Sequence, residues 1–178
     1  MMRICLRALL LALAAVTPSP CFAQSPQDFT NDSVFLKFLE QVAEARYQFN
    51  LGNVEPSLAL WSATDDVTLM GAGGGREKGI REVKPRIAFV TRQRTEGAGV
   101  AENKARMEYL QVVVIGDLAY TVQIERRRLS VPGQKEPVDN VLRATDVFRK
   151  ENGAWKLVHR HADPLVEVTI PGFPSPPR

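Results

Sequence analysis

The residues best suited to chemistry in this 178-residue chain lie close together near its C-terminal end. His159, His161 and Asp163 alternate along a predicted strand, so their side chains should point to the same face. A His-x-His pair with a carboxylate is a ligand set that zinc accepts. The chain has two histidines in all, however, and catalytic zinc sites usually draw ligands from several elements. We therefore expect no metal, and histidines that pack within a sheet or an interface.

Arg160 lies on the opposite face of the same predicted strand, between Val158 and Ala162. Asp146 belongs to the preceding predicted strand. An arginine that faces a cavity needs a partner or an anionic ligand, because an unpaired buried charge is costly. If Asp146 and Arg160 both face inward, a salt bridge across the strands should follow. If both lie on the surface, their pairing is worth well under about 1 kcal/mol.

Three other motifs carry little chemistry. The stretch Gly71–Gly75 is no dinucleotide-binding fingerprint, because Arg76 stands where a third glycine belongs, and no Gly-Lys-Ser/Thr follows it. We predict a flexible loop that passes near a cavity mouth. Arg126, Arg127 and Arg128 should form a solvated strand end near Glu125, since neighbours on a strand point to opposite faces. The chain also contains no Gly-x-Ser-x-Gly nucleophile elbow.

The first 23 residues have the pattern of a secretory signal peptide. Arg3 and Arg7 precede the apolar run Ala8–Val16, and small residues lead to a cleavage point after Ala23. The apolar run is far shorter than the roughly 20 residues of a membrane-spanning helix. The alternative interpretation is an apolar helix buried in the core. We predict removal of residues 1–23 and a periplasmic or secreted bacterial protein, with no membrane contact in its mature form.

Cleavage at that point would remove both cysteines, Cys5 and Cys21. The mature chain would then have no disulfide, thiolate nucleophile or cysteine metal site. The formal net charge of +3 would fall close to zero, because two arginines and no acid leave with the signal. A nearly neutral domain lacks the basic footprint of a nucleic-acid-binding protein. No sequence motif calls for a cofactor, so we expect none.

The N-terminal part of the mature chain is predicted to be helical. Apolar residues recur at helical spacing from Phe35 to Phe49, which predicts an amphipathic helix that ends near Asn50. Gly52 and Asn53 should terminate it. Three good N-capping residues precede it: Asn31, Asp32 and Ser33.

Shorter elements follow this helix. We predict a second helix over Pro56–Trp61 and a short β run over Val67–Met70. The third helix, Ile80–Val90, contains Pro85, which predicts a late start or a kink. The polar segment Arg94–Asn103 should be a loop.

The C-terminal half changes to the period of two that is typical of strands. Gly116-Asp117 and Asn152-Gly153 predict tight turns, and residues 171–178 predict an extended proline-rich tail. Helices followed by long hairpin-linked strands favour one α+β domain over residues 24–170, with an antiparallel sheet that helices cover on one face. The predicted long strands are Lys104–Ile115, Leu118–Leu129, Val138–Arg149 and one within Trp155–Ile170.

Five segments resemble a known superfamily. Asn50–Asn53, Leu60–Ser62 and Asp65–Leu69 are similar to the front half of SnoaL-like, NTF2-like proteins of the domain-of-unknown-function-4440 type. Leu142–Lys150 and Gly153–Pro164 resemble their closing hairpin. The resemblance implies a cone-shaped fold, in which a strongly curved antiparallel sheet wraps around a long N-terminal helix with two further helices. It also implies a pocket inside the cone and a homodimer.

Functions in this superfamily vary, so the resemblance carries over residue by residue. The aspartate base of ketosteroid isomerase would fall near Gly71, and its tyrosine is not clearly matched, since Tyr47 lies half a turn away. Its second aspartate matches Asp146, so we do not expect steroid isomerisation. In the association domain of calmodulin-dependent kinase, one cavity arginine matches Asp146 and another matches Ala162. These matches imply that Asp146 faces the pocket and support an inward orientation of Arg160.

The sequence leaves three functions open. The first is a secreted module that binds a small, mostly apolar molecule, with Asp146 and Arg160 orienting the polar end of the ligand. Aromatic walls would come from four residues: Tyr47, Trp61, Tyr109 and Tyr120.

The second function is a cofactor-independent isomerase, cyclase, lyase or hydrolase. Asp146 would be its general acid or base, tuned by burial and by Arg160, with His161 as a reserve base. The third is a homodimeric assembly module without a ligand, in which His159, His161 and Trp155 form the contact on the outer face of the sheet.

Overall fold

A computed structural model describes residues 32–97, 102–129 and 135–166. Both the predicted signal peptide, residues 1–23, and the predicted tail, residues 171–178, lie outside these ranges. The described part consists of three helices and six strands in the order α1, α2, β1, β2, α3, β3, β4, β5 and β6.

Helix α1 spans Ser33–Asn50 and forms as its sequence predicts. The side chain of Asp32 caps it by accepting a hydrogen bond of 2.9 Å from the amide of Phe35. Gly52 follows the helix with a φ of 92°, a conformation that glycine adopts without strain. The face that points into the protein carries Phe35, Leu39, Val42 and Ala45, all of them buried.

Helices α2 and α3 lie at Glu55–Leu60 and Ile80–Gly97. The predicted late start of α3 was wrong, since the helix begins at Ile80 and continues through Pro85. Pro85 lies in the second turn, where it removes one i→i−4 hydrogen bond, and the helix continues on both sides of it. The predicted loop over Arg94–Asn103 was too long, since α3 reaches Gly97.

The six strands form one sheet in the order β2-β1-β6-β5-β4-β3. Antiparallel pairing joins all neighbours except β1 and β6, which are parallel. Strand β2 was not predicted, because two residues carry no periodicity. The strands span Thr68–Met70 (β1), Glu77–Lys78 (β2), Glu102–Ile115 (β3), Leu118–Leu129 (β4), Val138–Glu151 (β5) and Ala154–Pro164 (β6).

Tight turns connect the long strands where the sequence predicts them. Asn152 and Gly153 join β5 to β6 with φ angles of 50° and 81°, the left-handed pair that a two-residue hairpin needs. Gly116 joins β3 to β4 with a φ of 59°.

The sheet curves around α1, and the core lies between them. The ring of Phe35 contacts Phe148 on β5 and Trp155 on β6 edge to face, with centroid distances of 5.4 Å and 4.9 Å. Trp155 is therefore a core residue on the inner face of the sheet and does not form the outer contact that an assembly module would need. The α+β class and the curved sheet around a long helix are confirmed. Within the described ranges, no helix combines the length and the apolar character that crossing a membrane requires.

Candidate functional site

The register of the sheet brings charged side chains together on its inner face. Thr121 on β4 lies opposite Asp146 on β5, and Asp146 lies opposite Arg160 on β6. Since side chains alternate along each strand, Gln123 and Glu125 share the inner face with Thr121. All five are buried, and at 0% exposure Asp146 is sealed from solvent.

Arg46 reaches these residues from α1 and completes a group that we call the ion-pair cluster. It follows Val42 by four residues, which places both on the face of α1 that points toward the sheet. The cluster consists of Arg46, Gln123, Glu125, Asp146 and Arg160.

Asp146 is enclosed by donors. Its Oδ2 atom accepts hydrogen bonds from Arg46 Nη2 at 2.7 Å, Gln123 Nε2 at 2.9 Å and Arg160 Nη1 at 3.2 Å. Its Oδ1 atom accepts one from Arg160 Nη1 at 2.9 Å. The cross-strand ion pair between Asp146 and Arg160 that sequence parity suggested is therefore present.

Glu125 is the second carboxylate of the cluster. Arg160 grips it with two parallel hydrogen bonds, Nη1 to Oε1 at 3.0 Å and Nη2 to Oε2 at 2.9 Å. Arg46 Nε lies 3.4 Å from Glu125 Oε1. Burial raises the pKa of the Glu125 carboxyl, but the charges of Arg160 and Arg46 and the hydrogen bonds from Arg160 and Gln123 outweigh it. The net effect holds this pKa well below its usual range.

The charges of the cluster balance, with two guanidinium groups against two carboxylates. Burial lowers the pKa of Arg160, yet Glu125 and Asp146 raise it further, so the side chain stays charged. Nearby, burial together with the charges of Asp146 and Glu125 raises the pKa of Tyr109 to about 12, although Arg46 opposes this. Tyr109 therefore stays protonated at neutral pH.

A cavity of about 460 Å³ opens beside the cluster, between the inner face of the sheet, α1, α2 and α3. Arg46, Glu125 and Arg160 line it, whereas Asp146 lies behind this wall. Arg86 and Arg127 also reach the wall, but most other lining residues are apolar, so the cavity has an ionic end at the cluster and a largely apolar body. The apolar lining includes Phe49, Trp61, Ile87, Val90, Leu142 and Leu157.

The glycine-rich loop forms one side of the cavity through Gly71, Ala72 and Gly73. Arg86 on α3 holds this loop by donating a hydrogen bond of 2.8 Å to the carbonyl of Gly74. Gly75 has a φ of 98°, and a Cβ there would lie 2.8 Å from Glu77 Oε1. Glycine is required at that position so that the loop can turn next to the cavity.

Among the four predicted aromatic wall residues, Trp61 lines the cavity and the other three do not. Tyr120 pairs with Val113 and Val147 and belongs to the outer face of the sheet. Tyr109 is on the inner face next to Gln123 and packs against the core instead. Tyr47 follows Arg46 on α1 and is therefore rotated by roughly 100° around the helix axis, so that its side chain points away from the cavity wall.

The two histidines lie on the outer face of the sheet. His161 is exposed and opposite Thr145, so β6 does not turn it toward the cavity as a reserve base would require. His159 Nδ1 is 2.7 Å from Thr68 Oγ1. Burial, followed by the charge of His161, lowers the pKa of His159. Asp163 accepts two hydrogen bonds from Arg143, and no group of three potential metal ligands occurs among the described residues.

Sequence reasoning missed Arg46, Gln123 and Glu125. Strand alternation could have found the last two, because they share a face with Ala119, a small residue suited to the interior. Helical spacing could have found Arg46 one turn after Val42. We instead interpreted Glu125 as a neighbour of the arginine run on a solvated strand end. The structure buries it at 2% exposure.

Comparison with solved structures places the fold in the NTF2-like class. A protein of the NTF2-like family from Streptomyces avermitilis, proposed to be a dehydratase, matches with a TM-score of 0.57 and 23% identity over 75% of this chain and 96% of its own. A ketosteroid isomerase-like protein from Erwinia carotovora atroseptica matches with a TM-score of 0.57 and 19% identity, covering 78% and 100%. An NTF2-like superfamily protein from Salmonella enterica serovar Typhimurium reaches 0.60 at 13% identity, covering 81% and 99%.

The sequence assigns the family within this class. The SnoaL-like domain matches residues 37–167, which is most of the chain and includes every member of the ion-pair cluster. The chain belongs to the SnoaL-like domain family. No curated protein sequence matches it significantly. The finer domain-of-unknown-function-4440 type stays a prediction.

Proposed function

We propose that this protein binds a small, mostly apolar molecule in the cavity and holds one polar group of that molecule against the ion-pair cluster. The proposal rests on one observation: charged side chains line one buried end of a 460 Å³ cavity. Small-molecule sites are typically cavities of about 300–1,000 Å³ with apolar walls and a few fixed polar groups.

The apolar body of the cavity would supply most of the binding free energy. Burial of apolar ligand surface contributes about 25 cal/mol per Å². The polar end would supply orientation, because hydrogen bonds and ion pairs within the ion-pair cluster fix Arg46, Glu125 and Arg160, which therefore do not need to be ordered when a ligand binds.

The contacts of Asp146 give less support to catalysis by this residue. A general base needs a lone pair that can reach the substrate, and a general acid needs a proton. Asp146 accepts hydrogen bonds from Arg46, Gln123 and Arg160, and it does not line the cavity. Glu125 reaches the cavity, but its lowered pKa makes it a weak base. The geometry therefore favours binding over proton transfer.

A matched pair of substitutions tests the proposal. Ala162 is buried and lines the cavity, so the larger leucine side chain of Ala162→Leu would fill part of the cavity. Ala154 is exposed on the same strand and borders a separate groove beside α1 and α2, so Ala154→Leu is the control.

The measurement is thermal shift against a library of small apolar molecules, followed by calorimetric titration of the hits. We expect stabilisation of the wild type and of Ala154→Leu, and weaker binding by about ten-fold or more in Ala162→Leu. Equal affinities in the two variants, or no stabilisation across the library, would contradict the cavity as the binding site.

We also propose that the mature protein is exported and starts at Gln24. The basic, apolar and small-residue order of the first 23 residues supports this. Intact-mass measurement of the protein isolated from its own host should give the mass of residues 24–178. The mass of the full-length chain would contradict export by this signal.

We further propose a homodimer through the outer face of the sheet. Apolar residues on that face support it, since Tyr120, Val122 and Ile124 alternate with the buried polar residues of β4. Sedimentation at micromolar concentration should show a dimer for the wild type and a monomer for Val122→Arg. A monomeric wild type would contradict the proposal.

A further inference from the structure

Both signs of charge meet at the polar end of the cavity. Arg46 and Arg160 present guanidinium groups there, and Glu125 presents a carboxylate. Each of these charges already has a partner, because the four ionised groups of the cluster neutralise one another. A ligand that brought a further charge would therefore find a like charge within reach and no unpaired counter-charge.

Hydrogen-bonding capacity remains at this end in spite of the charge balance. Among the described residues, Glu125 Oε2 accepts one hydrogen bond, from Arg160 Nη2, while a carboxylate oxygen can accept two. The Nε atom of Arg46 is buried against Glu125 and its Nη2 atom donates to Asp146, whereas its Nη1 group donates no hydrogen bond to another described residue, and the side chain is 17% exposed. The polar end thus offers an acceptor and a donor close together, since Arg46 Nε is 3.4 Å from Glu125 Oε1.

Two further charged residues line the cavity, Arg86 and Arg127, and each has its own contacts outside the ion-pair cluster. Arg86 is at the glycine-rich loop, where it contacts Gly74 and Glu77. Arg127 lies two residues beyond Glu125 on β4 and donates hydrogen bonds to Asn140 and Asn50. Arg86 is therefore engaged with the loop and Arg127 with two amide side chains, and neither contacts the ion-pair cluster in these hydrogen bonds.

We propose that the cavity selects an uncharged ligand that carries a hydroxyl group and rejects carboxylates and ammonium ions with the same apolar body. A hydroxyl group can donate to Glu125 Oε2 and accept from Arg46, and so uses both vacancies in the hydrogen-bonding pattern. A carboxylate would face Glu125, and an ammonium ion would face the two arginines, in surroundings where low dielectric strengthens repulsion. This inference rests on the proposed function of the cavity.

The test uses four naphthalenes that share one ring system. They are 2-naphthalenemethanol, 2-naphthoate, 2-naphthylmethylammonium and 2-methylnaphthalene, titrated calorimetrically into the full chain at pH 7. We expect the alcohol to bind at least about ten-fold more tightly than each of the other three. Equal or tighter binding of either ion would overturn the inference and leave the proposed function standing. No binding by any of the four would contradict both.

Removing a single charge from the cluster should change which of the charged naphthalenes binds better relative to the alcohol, and the sign of the removed charge should decide which one. Glu125→Gln leaves a net positive cluster, so 2-naphthoate should gain at least about ten-fold relative to the alcohol. Arg46→Gln leaves a net negative cluster, so the ammonium compound should gain instead. Because Arg46 is partly exposed on α1, this second variant keeps the test available if Glu125→Gln does not fold.

Matched controls carry the same chemical changes outside the cavity. Glu108→Gln and Arg81→Gln alter exposed residues on β3 and α3 and should leave all four relative affinities unchanged. Folding of every variant is checked by circular dichroism and thermal melting before titration. An unchanged order of affinities in a folded Arg46→Gln protein would contradict the inference.

Discussion

Two ion-pair networks of similar composition differ in solvent exposure: one is buried and the other lies at the surface. The ion-pair cluster is buried, with side-chain exposures of 10% or less for Arg160, Glu125 and Asp146. A second network at the surface joins Arg149 to Asp66 and Glu151, whose side chains are 25–59% exposed. Both use short arginine–carboxylate contacts, yet only the buried network borders the 460 Å³ cavity.

The surface network connects the end of β5 to the segment before β1. Arg149 Nη1 donates to Asp66 Oδ2 at 2.7 Å, and Arg149 Nη2 donates to Glu151 Oε1 at 2.7 Å. The hydroxyl of Ser62 also donates to Glu151, and that of Thr64 donates to Asp66. Hydrogen bonds from Arg149 and Thr64 lower the pKa of Asp66.

Burial, more than contact geometry, decides how much an ion pair contributes to stability. Water can replace a partner lost at the surface, but it cannot easily reach a charge stranded in the interior. The buried network should therefore be fragile to single charge changes and selective toward ligands. The surface network should be tolerant of substitution and should affect neither property strongly.

The largest expected effect is the loss of an arginine from the buried network. Arg160→Met removes the shared partner of Glu125 and Asp146 and should lower the free energy of unfolding by about 3–5 kcal/mol. The matched surface change, Arg149→Met, should cost about 1 kcal/mol or less. Urea denaturation at pH 7 measures both. Similar losses would show that burial does not distinguish the two networks.

The second largest expected effect is a difference between the two networks in how stability depends on pH. The pKa of Glu125 is lower in the folded protein than its ordinary value of 4.5, so the folded state favours its ionised form. This contribution is fully present above the unfolded-state pKa and is lost as the pH falls through and below about 4.5. In Glu125→Gln, the fall in stability from pH 6 to pH 3 should be shallower than in the wild type.

Glu108→Gln serves as the control for that titration because the pair between Glu108 and Arg126 is exposed. Its stability profile should run parallel to that of the wild type. A Glu125→Gln profile that also runs parallel would contradict a strongly paired carboxylate at this position.

The smallest expected effect concerns the surface network and salt. Asp66→Asn should lower the free energy of unfolding by about 1 kcal/mol or less at low ionic strength. The difference should shrink further in about 1 M salt, where charges are screened beyond about 3 Å. Chemical denaturation at the two salt concentrations measures it. A large difference that persists in salt would place Asp66 in a buried environment.

Much of the fold follows from local sequence signals. The apolar spacing of α1, the Asn152-Gly153 turn and the alternation along β4 each encode an element directly, and the structure confirms them. The short β2 strand and the continuation of α3 to Gly97 were missed, because tertiary pairing and packing decide them and local propensity does not.

The candidate site was harder to predict than the fold. Asp146 and Arg160 could be placed face to face by strand parity, and the register confirms their contact. Arg46 and Glu125 come from distant elements, and only the curvature of the sheet around α1 brings them to Arg160. The prediction that Tyr120 would line the pocket rested on its aromatic character alone and was wrong, since a tyrosine suits either face of a half-buried sheet.

A crystal structure of the protein with 2-naphthalenemethanol bound would test the proposed binding site most directly. We expect the ring system inside the 460 Å³ cavity and the hydroxyl oxygen within about 3.2 Å of Glu125 Oε2 and of an Arg46 nitrogen. A ligand that lies in the groove beside α1 and α2, or a hydroxyl group that points away from these residues, would contradict this proposal.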